Sequence, residues 1–375
     1  MRGSFQIAKF FGIPVQVHWS FGLIFAWIWY EAYMDGRGWQ EILQLTLLVI
    51  AIFACVVLHE FGHALTAKRF GVSTRDIILS PIGGIARLDR LPEKPIQELL
   101  VAIAGPLVNI AIAAILLFYL LVVATEPYES LLGVLSRSSN SFRQHIHPVH
   151  QFLVAIVFMN GLLAGFNMIP AFPMDGGRVL RALLAIRLGH LRATRAATYV
   201  GFALAILIGI AGFVEQNFML MLIGGFVLFM GMMEYRMAKT DASLDTFPVV
   251  KLMRSEFSIF YQTDQMALPA HAFSAGLEHN FLIFDDWQNL KGILTEAQIQ
   301  KAVEHQQLDS AVLTFATNGF MPLLAGDTLR HALEQMQHTG YTMLPVYEND
   351  KIVGVLDYQA IHRFLRKQSK LFAFF

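Results

Sequence analysis

Long runs of mostly hydrophobic residues dominate the first part of the chain, and the C-terminal part lacks them. A helix needs about 20 mostly apolar residues to cross a bilayer, with a range of roughly 17 to 25. Six runs meet this description and cover residues 17–33, 42–67, 96–124, 152–169, 198–214 and 218–237. The last two are separated by a short polar break and predict a tight transmembrane hairpin. The pattern predicts an α-helical polytopic membrane protein with six transmembrane helices.

Two stretches outside these runs have a different pattern. The opening segment mixes aromatic residues with glycine and proline, and we expect it to pair as short strands at the membrane interface. In residues 77–85, β-branched residues stand beside Gly83 and Gly84. Glycine within an extended segment allows another backbone to approach closely. We therefore expect a membrane-associated β-loop there.

Basic residues near the ends of the spans predict the orientation in the membrane. With the N-terminus inside, two cytoplasmic loops hold most of them, and few remain outside. The N-terminus and C-terminus are both expected to be cytoplasmic in a multi-pass protein of the cell membrane. The basic residues that this orientation places on the cytoplasmic side are Lys68, Arg69, Arg75, Arg87, Arg90, Lys94, Arg178, Arg181, Arg187, Arg192, Arg195, Arg236 and Lys239.

Beyond the last span the composition becomes that of a soluble domain. We divide the chain into a membrane domain (1–240), a linker (241–247) and a cytoplasmic α/β domain (248–375). The last contains a repeat, because residues 281–299 and 344–361 each follow a strand, turn, strand and helix pattern. An amphipathic helix is expected at residues 329–339, ahead of the second copy.

The composition supports a membrane protein and excludes one class of partner. Hydrophobic residues make up 55% of the chain and charged residues 15%, whereas soluble domains carry about 25% charged residues. The formal net charge is +0, so there is no electrostatic case for binding nucleic acid. The single cysteine excludes an intrachain disulfide. No cleavable signal peptide is visible, so we expect the first span to be an uncleaved anchor.

Candidate chemistry lies at the end of the second apolar run, where His59, Glu60 and His63 form an H-E-x-x-H motif. On a helix the two histidines share a face and can hold two corners of a tetrahedral Zn²⁺ site. Glu60 is then placed to take a proton from water at the metal. The alternative is a chance match, in which the histidines only cap or satisfy groups nearby.

A zinc site also needs a third protein ligand and an open position for water. Asp175 is the best candidate, since it follows the fourth span and precedes Gly176 and Gly177. The alternative is that Asp175 caps the N-terminus of a helix over residues 176–188, a common use of aspartate. The intramembrane H-E-x-x-H favours the ligand interpretation.

Together, these motifs resemble those of the site-2 protease family of intramembrane metalloproteases. The resemblance covers residues 1–240, in the six-span form of the family. It rests on His59-Glu60-Phe61-Gly62-His63 and on Asn167-x-x-Pro170-x-x-Pro173-x-Asp175-Gly176-Gly177.

The resemblance implies a function for each motif position. His59, His63 and Asp175 would bind one Zn²⁺ per chain, and Glu60 would be the general base and acid. Substrate would be held by Asn167 and by a re-entrant loop at Gly83, Gly84 and Ile85. The implied reaction is hydrolysis of a peptide bond in or near a transmembrane segment of a membrane-protein substrate, in the lipid bilayer, as in regulated intramembrane proteolysis.

The C-terminal domain resembles a pair of cystathionine-β-synthase (CBS) domains. Nucleotide-binding pairs carry Gly-x-x-Thr-x-x-Asp, with the aspartate on ribose. Here the last two positions hold Thr295 and Gln298 in one copy, and Asp357 and Ala360 in the other. The missing ribose carboxylate argues against adenine nucleotide binding, and a homodimer through the CBS pair or docking of substrate is an alternative role.

Two other functions remain as alternatives, a CBS-regulated membrane transporter and a catalytically inactive membrane adaptor. A transporter predicts polar residues spread along several spans, and the intact Glu60 argues against an inactive adaptor. Three weaker signals have a functional interpretation, but a structural role is the default for each. Cys55 could be a further ligand, and Asn109 could hydrogen-bond near the site. A histidine group in the outer loop could bind a second metal, namely His145, His147 and His150.

Overall fold

The computed structural model describes residues 3–81, 83–89, 94–123, 148–276 and 278–371. The chain divides into two compact units, Met1–Tyr235 and Arg236–Phe375. Of the outer-loop histidines, His145 and His147 lie outside the described residues, while His150 lies in the first turn of a helix.

The first unit is mainly helical. Among the described residues, five helices are long and apolar enough to cross a membrane, and they cover Trp39–Arg69, Pro95–Val122, Val149–Asn167, His190–Val214 and Phe218–Thr246. The chain is therefore an integral membrane protein. The helices are α1 (Gly22–Met34), α2 (Trp39–Arg69), α3 (Pro95–Val123), α4 (Pro148–Asn167), α5 (Asp175–Leu188), α6 (His190–Val214) and α7 (Phe218–Thr246).

The predicted first span differs from the structure. Residues 17 and 18 end a β-strand, and α1 begins only at Gly22 and has 13 residues. At about 1.5 Å per residue this helix is roughly 20 Å long, which is short of a hydrocarbon core of about 30 Å. The start of the predicted span is extended because its backbone is paired within a sheet.

The predicted linker also has a regular structure. α7 continues from the last predicted span to Thr246 and so passes through most of residues 241–247. No proline or glycine interrupts this stretch before Pro248, and those residues are the usual helix breakers. Polar composition alone did not end the helix.

A four-stranded sheet packs on the helix that carries H-E-x-x-H. Its strand order is β1 (Ser4–Phe10), β2 (Ile13–His18), β3 (Thr74–Ser80) and β4 (Gly83–Leu88), so β4 is an edge strand. β1 and β2 are antiparallel, which confirms the pairing predicted for the opening segment. Side chains from β2 and β3 form a core with Phe61 and Ala64 of α2, and the sheet therefore lies against the motif.

The second unit contains two copies of one α/β arrangement. In each copy a short strand is parallel to a second strand, which is antiparallel to a third. The copies are β5 (Ile259–Tyr261), α8 (Ala267–Ser274), β6 (Phe281–Phe284), β7 (Leu290–Leu294) and α9 (Glu296–Glu304), then β8 (Leu323–Leu324), α10 (Leu329–Thr339), β9 (Met343–Glu348), β10 (Lys351–Asp357) and α11 (Tyr358–Leu371). The structure confirms the repeat, including the amphipathic helix predicted at residues 329–339.

Candidate metal centre

Three buried side chains from two helices converge on one point. His59 and His63 lie one turn apart on α2, and their Nε2 atoms are 3.1 Å from each other. Asp175 Oδ2 lies 3.2 Å from Nε2 of His59 and 3.1 Å from Nε2 of His63. The three donor atoms lie within 4.8 Å of one another, as the ligands of a single metal ion would. Two imidazole nitrogens and one carboxylate oxygen form a donor set suited to Zn²⁺.

The position of Asp175 on its helix distinguishes the two interpretations of this residue. Asp175 is the first residue of α5, and the N-cap is Met174, whose side chain makes no capping hydrogen bond. The alternative, in which Asp175 only caps this helix, is therefore wrong. Its carboxylate contacts the histidines instead.

Two glycines allow α5 to begin close to the preceding loop. A Cβ on Gly176 would lie 2.4 Å from the carbonyl oxygens of Met168 and Ile169, and a Cβ on Gly177 would lie 2.8 Å from the carbonyl carbon of Ala171. Real Cβ contacts are never this short. The Asp-Gly-Gly sequence is thus what lets the aspartate start the helix at this place.

α3 fixes the orientation of both imidazoles. His63 Nδ1 lies 2.7 Å from the carbonyl oxygen of Val101, which can only accept, so Nδ1 carries the proton. His59 Nδ1 lies 2.7 Å from Oδ1 of Asn109 and donates to it. In each ring Nε2 is left with its lone pair directed at the shared point. Metal-binding histidines are oriented by such partners, and the chance-match alternative does not account for them.

The orientation of Asn109 is set in turn by Asn160 on α4. Asn109 Nδ2 donates to Oδ1 of Asn160 at 3.1 Å. Asn160 Nδ2 lies 2.9 Å from the carbonyl oxygen of Ile156 and 3.3 Å from Sγ of Cys55. The thiol of Cys55 thus contacts an amide and is not part of the three-residue donor group. The predicted hydrogen bond from Asn109 near the site is present.

We expect Asn109→Leu to weaken Zn²⁺ binding by about 10-fold to 100-fold, the usual cost of losing an outer partner of a metal ligand. The volume is kept, but His59 Nδ1 loses its acceptor, so the ring is free to rotate. Zn²⁺ affinity measured by competition with a chelating dye tests this. Ile110→Ala changes the exposed neighbour on the same helix and should bind as wild type does. Equal affinities of all three proteins would contradict the prediction.

α2 and α3 approach closely beside the donor group. A Cβ on Gly105 would lie 2.2 Å from Nε2 of His63 and 2.7 Å from Nε2 of His59. A Cβ on Gly62 would lie 2.7 Å from the carbonyl oxygen of Ala104. Small residues at helix crossings allow such contact within a membrane. Glycine at position 105 is therefore required by the imidazoles that lie against it.

Glu60 faces the edge strand of the sheet. The backbone N–H of Ala86 on β4 donates to Oε2 of Glu60 at 3.0 Å. A Cβ on Gly84 would lie 2.9 Å from Cγ of Glu60, so the glycine lets the strand pass over this side chain. The carboxylate is thus held next to both the donor group and a strand edge.

An ion pair fixes the hairpin that carries this edge. Arg87 on β4 donates to Oδ1 of Asp76 on β3 at 2.6 Å. The hydrogen bond from the Arg87 guanidinium holds the pKa of the Asp76 carboxyl below its usual value, and the positive charges of Arg87 and Arg75 act in the same direction. β4 is consequently anchored through both its backbone pairing and this side chain.

The remaining predicted site residues are Gly83, Gly84, Ile85 and Asn167. Gly83, Gly84 and Ile85 belong to β4 and pair with residues of β3. Asn167 is the last residue of α4, with a half-buried side chain. Their roles towards a substrate stay predictions.

The sequence analysis missed Asn160, Val101 and the buried ion cluster of Glu98, Arg181 and Glu234. The signal available for Asn160 was a polar amide inside an apolar run, which is costly at membrane depth unless it is hydrogen-bonded. The Val101 carbonyl had no signal, since every residue carries one. Glu98 and Arg181 were visible as charges, but their distance in sequence hid the pairing.

Comparison with known proteins gives matches to both units. Residues 47–208 match the family model of peptidase family M50, and residues 315–367 match that of the CBS domain. A zinc metalloprotease of Methanocaldococcus jannaschii is 35% identical over 241 residues, which are 64% of this chain and 63% of that protein. A Synechocystis relative is 30% identical over 268 residues, covering 66% of this chain and 64% of that protein. The chain thus spans slightly under two thirds of each relative's length.

Among solved structures, a site-2 protease from Methanocaldococcus jannaschii matches with 34% identity and a TM-score of 0.42. The match covers 62% of this chain and 95% of that one. The region matched by the peptidase family model contains all three metal-type donors and Glu60.

Proposed function

This chain belongs to peptidase family M50, the site-2 proteases, with a CBS domain at its C-terminus, and on that premise we propose that it is an intramembrane zinc endopeptidase. Its substrate would be a membrane protein cleaved in or near a transmembrane segment. The observation that carries the proposal is the convergence of His59, His63 and Asp175, with Glu60 beside them on the same helix.

The residues of the site have distinct tasks in this reaction. When bound, Zn²⁺ acts as a Lewis acid towards the scissile carbonyl and makes water acidic enough to be deprotonated near neutral pH. Glu60 takes the proton of the attacking water and gives it to the leaving amine. The Ala86 N–H holds the Glu60 carboxylate in place while the proton moves. His59 donates its Nδ1 proton to Oδ1 of Asn109, and His63 donates its Nδ1 proton to the carbonyl oxygen of Val101. Both rings keep these protons and do not take part in proton transfer.

The edge of β4 offers a way to hold the substrate. Among the described residues the strand pairs only with β3, and its Ala86 N–H donates to Glu60. An extended peptide can add to such an edge through backbone hydrogen bonds. Gly83 and Gly84 carry no side chains that would block it. We assign Gly83, Gly84 and Ile85 to this role, and Asn167 to holding substrate near the metal by family resemblance.

The topology proposed for the membrane unit follows from charge and composition. α1 would be a short first span, so that six spans place both termini in the cytoplasm, in a multi-pass protein of the cell membrane. The basic residues near the helix ends support this orientation.

In the C-terminal unit, the positions that would bind a nucleotide have internal partners. Thr295 and Gln298 form a capping box at the start of α9. Asp357 accepts from Nε of Arg254 at 2.8 Å. These contacts already engage side chains that a nucleotide would need. We therefore propose pairing of two chains or docking of the substrate as the role of this unit, with adenine nucleotide binding as the alternative.

Metal removal tests the proposal directly. We expect the full-length protein, purified in detergent, to contain one zinc per chain and to cleave at least one member of a panel of single-span membrane proteins. A chelator should abolish cleavage and added Zn²⁺ should restore it. Zinc without cleavage of any substrate would favour the inactive adaptor. Absence of stoichiometric zinc would refute the protease, and ion flux in vesicles would then test the transporter.

A further inference from the structure

α3 presents one face to the metal centre along its first four turns. Val101, Gly105 and Asn109 follow Glu98 by three, seven and eleven residues. Val101 contacts His63, Asn109 contacts His59, and Gly105 lies against both histidines. This spacing places all four residues on one side of a helix. Glu98 is thus the start of the stripe that orients the two histidines.

Glu98 pairs with a buried arginine on the helix that supplies the third ligand. Arg181 lies in the second turn of α5, six residues or about 9 Å along the axis from Asp175. Its Nε donates to Oε1 of Glu98 at 2.6 Å. The side chains of Arg181 and Glu98 are 1% and 3% exposed. One ion pair therefore connects the helix that orients the histidines with the helix that begins at the aspartate.

Arg181 has two further contacts. Its guanidinium lies 5.3 Å from the ring centre of Phe172, in the loop that leads to Asp175. Its Nη1 also donates to Glu234 of α7. Glu98 has a second neighbour, because Nδ1 of the half-exposed His190 lies 3.8 Å from its Oε2. Arg181 thus contacts α3, α7 and the loop before the ligand at once.

We propose that Arg181 is a positioning residue of the metal centre, which holds Asp175 at the distance from His59 and His63 that a single ion requires. Without it, α5 and its preceding loop are free to shift relative to α3. Shifts well under the 3.1 Å and 3.2 Å separations of the donor atoms would unbalance the ligand set. The inference rests on the proposed function in that these three side chains must hold the metal.

A buried ion cluster could instead serve folding alone, and neutralising the whole cluster separates the two roles. Removing Arg181 by itself leaves two carboxylates without their partner, which is strongly destabilising. Replacing the whole cluster by hydrophobic residues of similar volume avoids that cost, and such replacements are often neutral or stabilising. The informative protein is therefore Arg181→Met combined with Glu98→Met and Glu234→Met. Arg181→Lys is a milder variant that keeps the charge but loses the planar fork.

The experiment measures metal binding by the full-length chain in detergent, with and without these changes. Zn²⁺ affinity is determined by competition with a chelating dye. Visible absorption of the Co²⁺-substituted protein reports the ligand geometry, and thermal unfolding reports stability. Arg187→Met, an exposed arginine in the last turn of the same helix, is the matched control.

We expect the zinc-free triple variant to unfold at the temperature of zinc-free wild type. It should bind Zn²⁺ about 10-fold to 100-fold more weakly, with an altered Co²⁺ spectrum. Arg181→Lys should show a smaller change in the same direction, and Arg187→Met none. Wild-type affinity and spectrum in both the triple variant and Arg181→Lys would overturn the inference. Failure of wild type itself to bind zinc would refute the proposed function instead.

Discussion

Glu60→Gln should abolish proteolysis while the protein keeps its zinc. A general base contributes about 10²-fold to 10⁴-fold to the rate, and an amide cannot take the proton from water. The substitution keeps the shape of the side chain, and the amide oxygen can still accept from the Ala86 N–H. The metal-type donors are His59, His63 and Asp175, so the site itself is unchanged.

Two assays on the same preparation check this result. Zinc per chain is measured by elemental analysis, and cleavage of a membrane-protein substrate is followed by gel electrophoresis over at least a 100-fold range of rates. Glu41→Gln changes an exposed glutamate in the first turn of the same helix and should leave both values unchanged. Cleavage by Glu60→Gln at the wild-type rate would refute the role of this residue, and loss of its zinc would show instead that Glu60 helps to bind the metal.

Gly105→Ala should disrupt the metal centre without unfolding the protein. The added Cβ would lie 2.2 Å from His63 Nε2, a distance that two non-bonded atoms do not tolerate, so the imidazole must move. A displacement of about 1 Å in a catalytic constellation can cost roughly 100-fold in rate. Alanine nevertheless favours a helix over glycine by about 1 kcal/mol, and the helix itself gains stability from the change.

Zn²⁺ affinity, cleavage rate and thermal unfolding together test this prediction. Gly165→Ala on α4 is the control, because a Cβ at that position meets nothing within 4 Å. Without zinc, both variants should unfold at or above the temperature of zinc-free wild type. Only Gly105→Ala should lose zinc binding and activity. Normal zinc binding by Gly105→Ala would show that the imidazoles can move away from α3 without cost.

The local part of the site could be predicted because helical geometry determines it. His59 and His63 are four residues apart on an uninterrupted helix, and no other part of the fold is needed to bring them together. The strand, turn and helix repeat of the C-terminal unit followed from period and turn chemistry in the same way. Composition was enough to identify the membrane helices, apart from the shortest.

The rest depended on contacts between residues distant in sequence. Asp175 can be a metal ligand only if its carboxylate reaches His59 and His63 on α2, more than a hundred residues earlier in the chain. The local sequence does not show whether it does, so the cap interpretation stayed open. Asn109 is 50 residues from His59, and its role is visible only once α3 is packed against α2. At the predicted first span, hydrophobicity favoured a helix, but pairing of residues 15–17 with β3 decided the outcome.

The edge position of β4 has a consequence for how this protein would choose among membrane proteins. The main-chain hydrogen bonds of a strand edge read amides and carbonyls, which every sequence possesses. A source of discrimination beyond the side chains is then the energy needed to unwind a turn of the incoming helix. Glycine costs a helix about 1 kcal/mol relative to alanine and proline about 3 kcal/mol. One glycine and one proline near the same bond, about 4 kcal/mol together, would favour cleavage there by more than 100-fold. A target would then be recognised by a helix that unwinds easily as well as by its side chains.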